Sequence, residues 1–405
     1  MSYQTPADSS RAAHASGMPI ILVIGDGQLA RMMHTEAIEL GLSARILAAT
    51  DQASAAQVSR DLHIGDYLSY TDLQNSATGT DVITFDHEHV PNDYIHSLLD
   101  EGYDVQPRPH ALIYAQDKLL MRQRLSDMGA PIPPFAAISS RDDARAFYTR
   151  VNGAVCLKAR RGGYDGHGVW FPRTVTELEE LVDKLRAEGV ELMAEEKIAL
   201  SRELSVLVAR TPSGEVKAWP VSQSVQENGI CTETLTPAPG LSEKHSSEIK
   251  SLAQYIATEL RVTGVLAVEL FATDNGSVEP TILVNELAMR PHNTGHWTQN
   301  GCVTNQFEQH LRAVLDYPLG DTELTAPVIG MANVLGAPAD PDLPMTARMK
   351  AVWRRYPTAK IHLYGKDYRP GRKLGHVNIA GDSADDVLQA ARNAAHFLST
   401  ASWMD

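Results

Sequence analysis

The sequence predicts an α/β front unit, a larger α+β centre and a small β-rich tail. Three observations lead there. An apolar, β-branched run over residues 20–25 ends at Gly25 and opens into helical spacing, starting a strand–helix–strand alternation. Strand-like runs predominate from 154 to 290, with helices expected at about 174–188 and 245–260. β character continues over about 325–380, before a closing helix expected over 383–398. A chain of 405 residues is long enough for two or three such units. The expected divisions are an arm over 1–17 and domains over 18–115, 116–325 and 326–405.

In the front unit, "IILVIGDGQLARMM" reads as a buried strand, a turn and a helix over Gln28–Leu40, stopped by Gly41. "ARILAA" and "DVITF" supply the next strands, and a parallel sheet of this kind places ligands at the carboxyl ends of its strands. The pattern Gly25-x-Gly27-x-x-Ala30 is that of a dinucleotide-binding turn. The acid that should follow about 20 residues later is poorly placed, because Asp51 lies too far along the chain. In the centre, "DKLLMRQRLSDMGAPIPPF" predicts a helix that Gly129 and three prolines end.

The formal net charge of −14 argues against a nucleic-acid partner but leaves room for local basic clusters that hold phosphorylated small molecules. Apolar residues at 43% and charged residues at 21% are the balance of a globular protein. Cys156, Cys231 and Cys302 are odd in number and widely spaced, so neither a disulfide framework nor a zinc site is expected, and a reducing cytoplasm is. No apolar stretch approaches the roughly 20 residues of a membrane span. Residues 1–17 have no apolar centre and read as a mobile arm rather than a signal peptide.

Three stretches carry chemistry. In "AVCLKARRGGYDGHGVWF", Lys158 on a strand precedes Gly162, Gly163, Gly166 and Gly168 and a second strand. No GK[ST] occurs, so this is no Walker loop; it is either a phosphate-covering flap or a flexible hairpin. In "GVLAVELFATDNGSVEPTILVNELAMR", two strands flank an Asn275-Gly276 turn, and pairing them about residues 277–278 sets Glu269 opposite Glu286. Adjacent carboxylates need a cation or proton between them, and Mg²⁺ is the usual ion beside a nucleotide; the plain alternative is an edge pair in solvent. The run after it, "NELAMRPHNTGHWTQNG", holds Arg290, His292, Asn293, Thr294 and His296. Such density of donors suits either an anionic intermediate or a structural hydrogen-bond network.

"LVNELAMRPHNTGHWTQNG", "KARRGGYDGHG" and "YGKDYRPGRKLGH" together resemble the N5-carboxyaminoimidazole ribonucleotide synthetase family of ATP-grasp ligases, over about residues 20–380. The resemblance implies an ATP-grasp fold with a Rossmann-like N-terminal domain and a small β-rich C-terminal domain. It implies conversion of ATP, bicarbonate and 5-aminoimidazole ribonucleotide into ADP, phosphate and the N5-carbamate through carboxyphosphate, in purine synthesis. By position in the motifs, it implies ATP contacts at Lys118, Lys158, the loop Gly163, Tyr164, Asp165, Gly166, His167, Gly168 and Val169, the hinge Glu195, Glu196, Lys197, Ile198 and Glu203, and also Gln226, Asn285 and Glu286.

Glu269 and Glu286 match the Mg²⁺ ligands, with Mn²⁺ as an alternative ion. Strand alternation points Asn285 to the opposite face, so its role requires a bend or bulge. Arg290 and His292 match residues that hold bicarbonate and carboxyphosphate, and Tyr164 and Asp165 lie where the aminoimidazole is positioned, Asp165 orienting the amine or taking its proton. Lys366, Arg372 and Lys373 would grip the ribonucleotide phosphate, Lys366 also counting among the catalytic residues, with Glu88 on the ribose hydroxyls and Gln28, Leu29 and Asn293 completing the substrate site. The first glycine turn would then present its helix N-terminus to that phosphate, with Asp26 pointing away. The resemblance further implies a homodimer whose product passes to the N5-carboxyaminoimidazole ribonucleotide mutase.

His167 stands where the family has Arg or Lys, and "VSQSVQENG" replaces a Glu-Asn pair and a His by Gln223, Ser224 and Gln226. Histidine titrates near neutrality, so the substitution predicts activity falling above about pH 7; an unchanged pH–rate profile in H167R would count against it. The alternatives are a formate-using glycinamide ribonucleotide transformylase of the same fold, a non-catalytic nucleotide sensor, and an NAD-dependent oxidoreductase.

Overall fold

In the computed structural model, which describes residues 13–162, 167–227, 229–274, 276 and 279–404, the front of the chain folds as the alternation predicts. Ile20–Ile24 lies between Ser43–Ala48 and Val82–Phe85, with Asp61–Ile64 outermost, all parallel. All residues of Ile20–Ile24 are buried, as a strand covered on both faces must be. The helix Gln28–Glu39 ends one residue earlier than expected, and Gly41 takes a φ of +71° that favours glycine. The expected arm needs correction at its end. The His14 side chain is 3% exposed and hydrogen bonds to Asp61 at 2.7 Å and to Ser43, which docks this segment on the sheet edge; residues 1–12 lie outside the described residues.

The centre holds two sheets. Phe135–Ile138, Leu192–Glu196, Val155–Ala159 and Val169–Trp170 form an antiparallel four-stranded sheet. The helices Arg141–Arg150 and Val175–Ala187 cover it, joining Phe147, Leu178 and Val182 to Leu157 and Ala194 in one core. The second sheet has nine strands among the described residues, in the order Thr281–Ala288, Gly264–Thr273, Arg202–Arg210, Ser222–Glu227, Ile230–Thr236, Val328–Leu335, Lys373–Gly381, Lys360–Leu363, with Val216–Ala218 beside Arg202–Arg210.

The β-rich C-terminal part joins this sheet: Val328–Leu335 pairs directly with Ile230–Thr236, so its strands continue the central sheet. The expected β segment over 325–380 also contains a helix, Met345–Arg355. Its Met345, Met349 and Val352 pack into the C-terminal core at helical spacing. The helix Lys118–Asp127 is where expected; Asp117 caps it by accepting from the N–H groups of Leu119 and Leu120. The closing helix is Ala384–Thr400, capped by Ser383.

A buried histidine joins the front sheet to the central one. His310 Nδ1 accepts from the Val265 N–H at 3.0 Å, so Nε2 carries the proton and donates to Thr84 Oγ1 at 2.8 Å. Glycine at 264 makes room, since a Cβ there would sit 2.7 Å from the ring. Burial drives the His310 pKa down to about 3, so the imidazole stays neutral.

Candidate active site

Glu269 and Glu286 are cross-strand partners, as the hairpin pairing predicts. One residue further on the register slips: Leu270 faces Val284, and Asn285 is the extra residue of a β-bulge. The bend that Asn285 needed is therefore present, and a buried cation braces it. Arg122, fully buried, donates to the carbonyls of Val284 at 3.0 Å and Asn285 at 2.6 Å. Burial, then Glu286 and Glu203, push the Glu269 carboxyl up to about 8. Glu286 is also opposed by burial, but Lys118 outweighs it and holds its pKa below the ordinary value. The pair thus carries more carboxylate than its neighbours neutralise, which suits a divalent cation. Among the described residues no three His, Cys, Asp or Glu gather as a metal cage. An ion here would share this pair with ligand oxygens, the habit of Mg²⁺.

Two lysines face this hairpin, each on a carboxylate. Lys118 Nζ lies 2.6 Å from Glu286 Oε1, and Lys158 Nζ lies 2.7 Å from Glu195 Oε2. Burial lowers the Lys118 pKa, but Glu286 more than offsets this and the net shift is upward. Glu195, 2% exposed, also accepts from Arg122 Nε at 2.8 Å; burial opposes its charge, yet Lys158 and Arg122 hold its pKa down at about 2. Its side chain anchors Lys158, and the residue lines the cavity described below. Lys158 pairs with Val169 across the antiparallel strands. Gly163, Tyr164, Asp165 and Gly166 lie outside the described residues, as does Asn275 of the hairpin turn. His167 is exposed.

The polar run divides in two. Arg290 donates to Glu88 Oε2 at 2.9 Å, which brings an expected intermediate-binding cation onto the expected ribose-binding carboxylate. Burial lowers the Arg290 pKa, Glu88 raises it more, and the cation is secure. His292 lies 3.7 Å from Glu269, and burial followed by Arg290 brings its pKa to about 3, so it acts as a neutral donor or acceptor. Buried Gln306 holds its backbone, donating to the His292 carbonyl at 2.9 Å and accepting its N–H at 2.8 Å. Thr294 and His296 belong to the structural network: Thr294 bonds Ser205 at 2.7 Å and His296 bonds Gln306 at 3.1 Å, both buried. Asn293 lines the cavity yet is bonded to the Cys231 carbonyl and Asn333.

At the first glycine turn the structure adds a partner that the local pattern does not show. Asp86 accepts from the Gly27 N–H at 2.8 Å, and a Cβ at Gly25 would fall 1.7 Å from its carboxylate. The glycines therefore make room for a carboxylate of the chain itself, which takes the Gly27 N–H. Asp86, with its pKa raised to about 6 by burial against the Gly27 bond, fills the place a dinucleotide would need. Asp26 turns to the Ala49 N–H at 2.8 Å, as expected. The Leu29 side chain, expected at the substrate, is 7% exposed and packs into the apolar core of the front unit. Gln28 meets the cationic loop: its Oε1 accepts from Lys366 Nζ. Burial first, then Arg372, lower the Lys366 pKa to about 8. Arg372 donates to the Asp367 carbonyl at 3.0 Å, closing the loop that carries all three cations.

A cavity of about 750 Å³ unites most of these groups. Lys118, Lys158, Gly162, Val169, Glu195, Glu196, Lys197, Ile198, Glu203 and Gln226 line it with Glu269, Asn285, Glu286, Glu88, Arg290, His292, Asn293 and Lys373. Gln28, Lys366 and Arg372 stand outside that lining, beside Lys373. Sequence reasoning missed Arg160 and Arg161, which line the cavity and are held by the buried Asp117 at 2.8 Å and 3.1 Å. Two arginines directly before the glycines were the available signal. Phe171 was missed too; it lines the cavity with Lys197 over its ring at 5.2 Å.

Family models match the chain in three pieces: a ribonucleotide synthetase preATP-grasp domain over 18–116, an ATP-grasp domain over 123–307, and a phosphoribosylaminoimidazole carboxylase C-terminal domain over 330–390. The N5-carboxyaminoimidazole ribonucleotide synthase of Corynebacterium ammoniagenes is 58% identical over 398 residues, 98% of this chain and 96% of that protein. The chain belongs to the N5-carboxyaminoimidazole ribonucleotide synthase family. Members of known structure share its fold. The Thermus thermophilus synthetase is 34% identical with a TM-score of 0.83, covering 94% of this chain and 99% of its own. The Aspergillus clavatus synthase, solved with ADP and 5-aminoimidazole ribonucleotide, is 26% identical with a TM-score of 0.83, covering 94% and 98%. Membership sets aside the transformylase and oxidoreductase alternatives, and the filled glycine turn agrees.

Proposed function

We propose that this chain is an ATP-dependent carbon–nitrogen ligase that carboxylates 5-aminoimidazole ribonucleotide in purine biosynthesis. One observation carries the reading beyond family membership: the paired Glu269 and Glu286, with Asn285 bulged beside them, open into the same cavity as Lys118, Lys158, Arg290 and His292. That is an anion-activating site, with carboxylates for a metal, lysines for phosphates and a fixed cation for the acid being activated.

Bicarbonate oxygen attacks the terminal phosphorus of ATP, releasing ADP and giving carboxyphosphate. The ribonucleotide amine then bonds to the carboxyl carbon as the carbon–oxygen bond to phosphate breaks, and the amine loses one proton. Glu269 and Glu286 would hold Mg²⁺, which supplies charge neutralisation to the phosphate oxygens. Lys118 and Lys158 bind and orient those oxygens, each delivered by its carboxylate partner. Arg290, charged at any working pH and fixed by Glu88, orients the bicarbonate and then the carboxyphosphate. Neutral His292 supplies a hydrogen bond there without adding charge. Asp165 and Tyr164 position the aminoimidazole, with Lys366, Arg372 and Lys373 on its phosphate. The net charge of −14 suits small-molecule substrates rather than a nucleic acid. No helix among the described residues is long and apolar enough to cross a membrane. On the family resemblance, the chain works as a cytoplasmic homodimer and passes its product to the mutase.

The test is incorporation of ¹³C-bicarbonate into an acid-labile carbamate, followed by NMR with ATP and 5-aminoimidazole ribonucleotide. A carbamate carbon that requires both is expected. A chain that binds ATP yet incorporates no label is a nucleotide sensor instead.

A further inference from the structure

One buried polar assembly has no part in the roles above. His296, His376 and His362 form a column of imidazoles. The first two rings are 4.8 Å apart at 27°, and the second and third are 4.5 Å apart at 14°. His296 and His376 are fully buried, and Tyr364 is 1% exposed with its hydroxyl 2.7 Å from His376 Nδ1. The column is tied at its sides: Asn378 donates to the His296 carbonyl and to Asn300 Oδ1, both at 3.0 Å, and His362 Nε2 reaches the same Asn300 oxygen at 2.7 Å.

Its ends decide what it does. His296 closes the run that begins at Arg290, the cation assigned to the activated carboxyl group. Tyr364 opens the loop that carries Lys366, Arg372 and Lys373, and the Lys366 ammonium lies over its ring at 5.8 Å. The Tyr364 carbonyl accepts from Ser54 Oγ at 2.5 Å, which pins the same point to the front unit. The column therefore spans from the carboxyl-activating run to the base of the cationic loop.

We propose that Tyr364 and His376 are positioning residues that fix the phosphate-gripping loop relative to the Arg290 run. The proposal rests on the reading of Lys366, Arg372 and Lys373 as the grip on the ribonucleotide phosphate. Carboxyl transfer needs the amine in near contact with a carbon held at the other end, and an ångström of misplacement is worth about a hundredfold in rate. Three neighbouring cations on one loop repel each other and need an anchor. Packing alone would be served by apolar side chains at lower cost, since each buried polar group must find a partner. The hydrogen bond between Tyr364 and His376 supplies direction that packing does not.

The test compares Y364F, H376F and H376N with wild type in steady-state kinetics and thermal melting. Phenylalanine at either site keeps a ring and removes the bond, whereas the asparagine of H376N still presents a polar atom near the position of Nδ1. Y364F and H376F should raise the KM for 5-aminoimidazole ribonucleotide about tenfold with the KM for ATP unchanged, and release more ADP per carbamate formed. H376N should restore most of that KM even where its melting temperature stays low. Equal changes in both KM values, or a KM that follows melting temperature across the set, would overturn the proposal by making the column merely structural. If H376F does not fold, Y364F carries the comparison alone. K366A separates the two levels: no rise in the ribonucleotide KM in K366A refutes the phosphate reading, whereas a rise in K366A with none in Y364F refutes only the positioning role.

Discussion

The two cationic regions of this molecule handle charge in opposite ways. On the side proposed for ATP, Lys118 and Lys158 sit on Glu286 and Glu195, so their charges are already balanced by the chain. At the loop 364–373, Lys366 is bonded to the neutral amide of Gln28, and its charge is opposed by burial and by Arg372 and Lys373. The first arrangement pins each lysine in a set pose against a carboxylate. The second gathers Lys366, Arg372 and Lys373 on one loop in a chain of net charge −14, a grouping of like charges suited to a phosphate dianion. On the proposed reading, metal and phosphate are accommodated together on one side, while the other receives an anion directly.

The largest effect should come from breaking the balanced side. E286Q removes a proposed metal ligand and the partner of Lys118 at once, and should cut kcat about a thousandfold, read as ADP release. Manganese binding in the presence of ADP, followed by electron paramagnetic resonance, should weaken in the same variant; unchanged binding would move the metal elsewhere. Next, K366A should raise the KM for 5-aminoimidazole ribonucleotide about a hundredfold while sparing ATP. A matching rise for ATP would erase the contrast between the regions.

A smaller effect should appear with pH. Because the Lys366 pKa is lowered to about 8, its cation is lost as pH rises through that value, and the ribonucleotide KM should climb above it. K366R, which keeps its charge, should flatten that climb. The smallest is a matter of stability. His310 and His362 have folded pKa values lowered to about 3 and about 4, below their unfolded value near 6.5. Their contribution is full above about pH 6.5 and is lost as pH falls toward those values, since protonation favours the unfolded chain. Melting temperature should drop by several degrees from pH 7.5 to pH 5. In H310Q that dependence should weaken.

Much of this was legible in the sequence because it rests on local pattern. The Glu269–Glu286 pairing follows from alternation and a turn signal, and the Gly25 turn from a strand run ending in glycine. What remained hidden depends on distant partners. Asp86 takes the Gly27 N–H from 59 positions away, so a motif that promises an anion site gives no sign that the chain fills it. Arg122 shapes the Asn285 bulge from another helix, and alternation within one strand cannot register it. That the C-terminal strands join the central sheet was not legible, because composition marks elements and says nothing of which sheet they join. His14 docks through two side-chain bonds in a stretch whose composition is that of a loose end.

The most direct measurement is ADP release from the purified chain with ATP and bicarbonate, titrated with 5-aminoimidazole ribonucleotide, in wild type and K366A. Two differently charged regions serving one reaction predict release that depends on the ribonucleotide in wild type. They also predict a large rightward shift of that dependence in K366A, with ATP saturation unchanged. Release that ignores the ribonucleotide, or that K366A leaves untouched, would contradict the account.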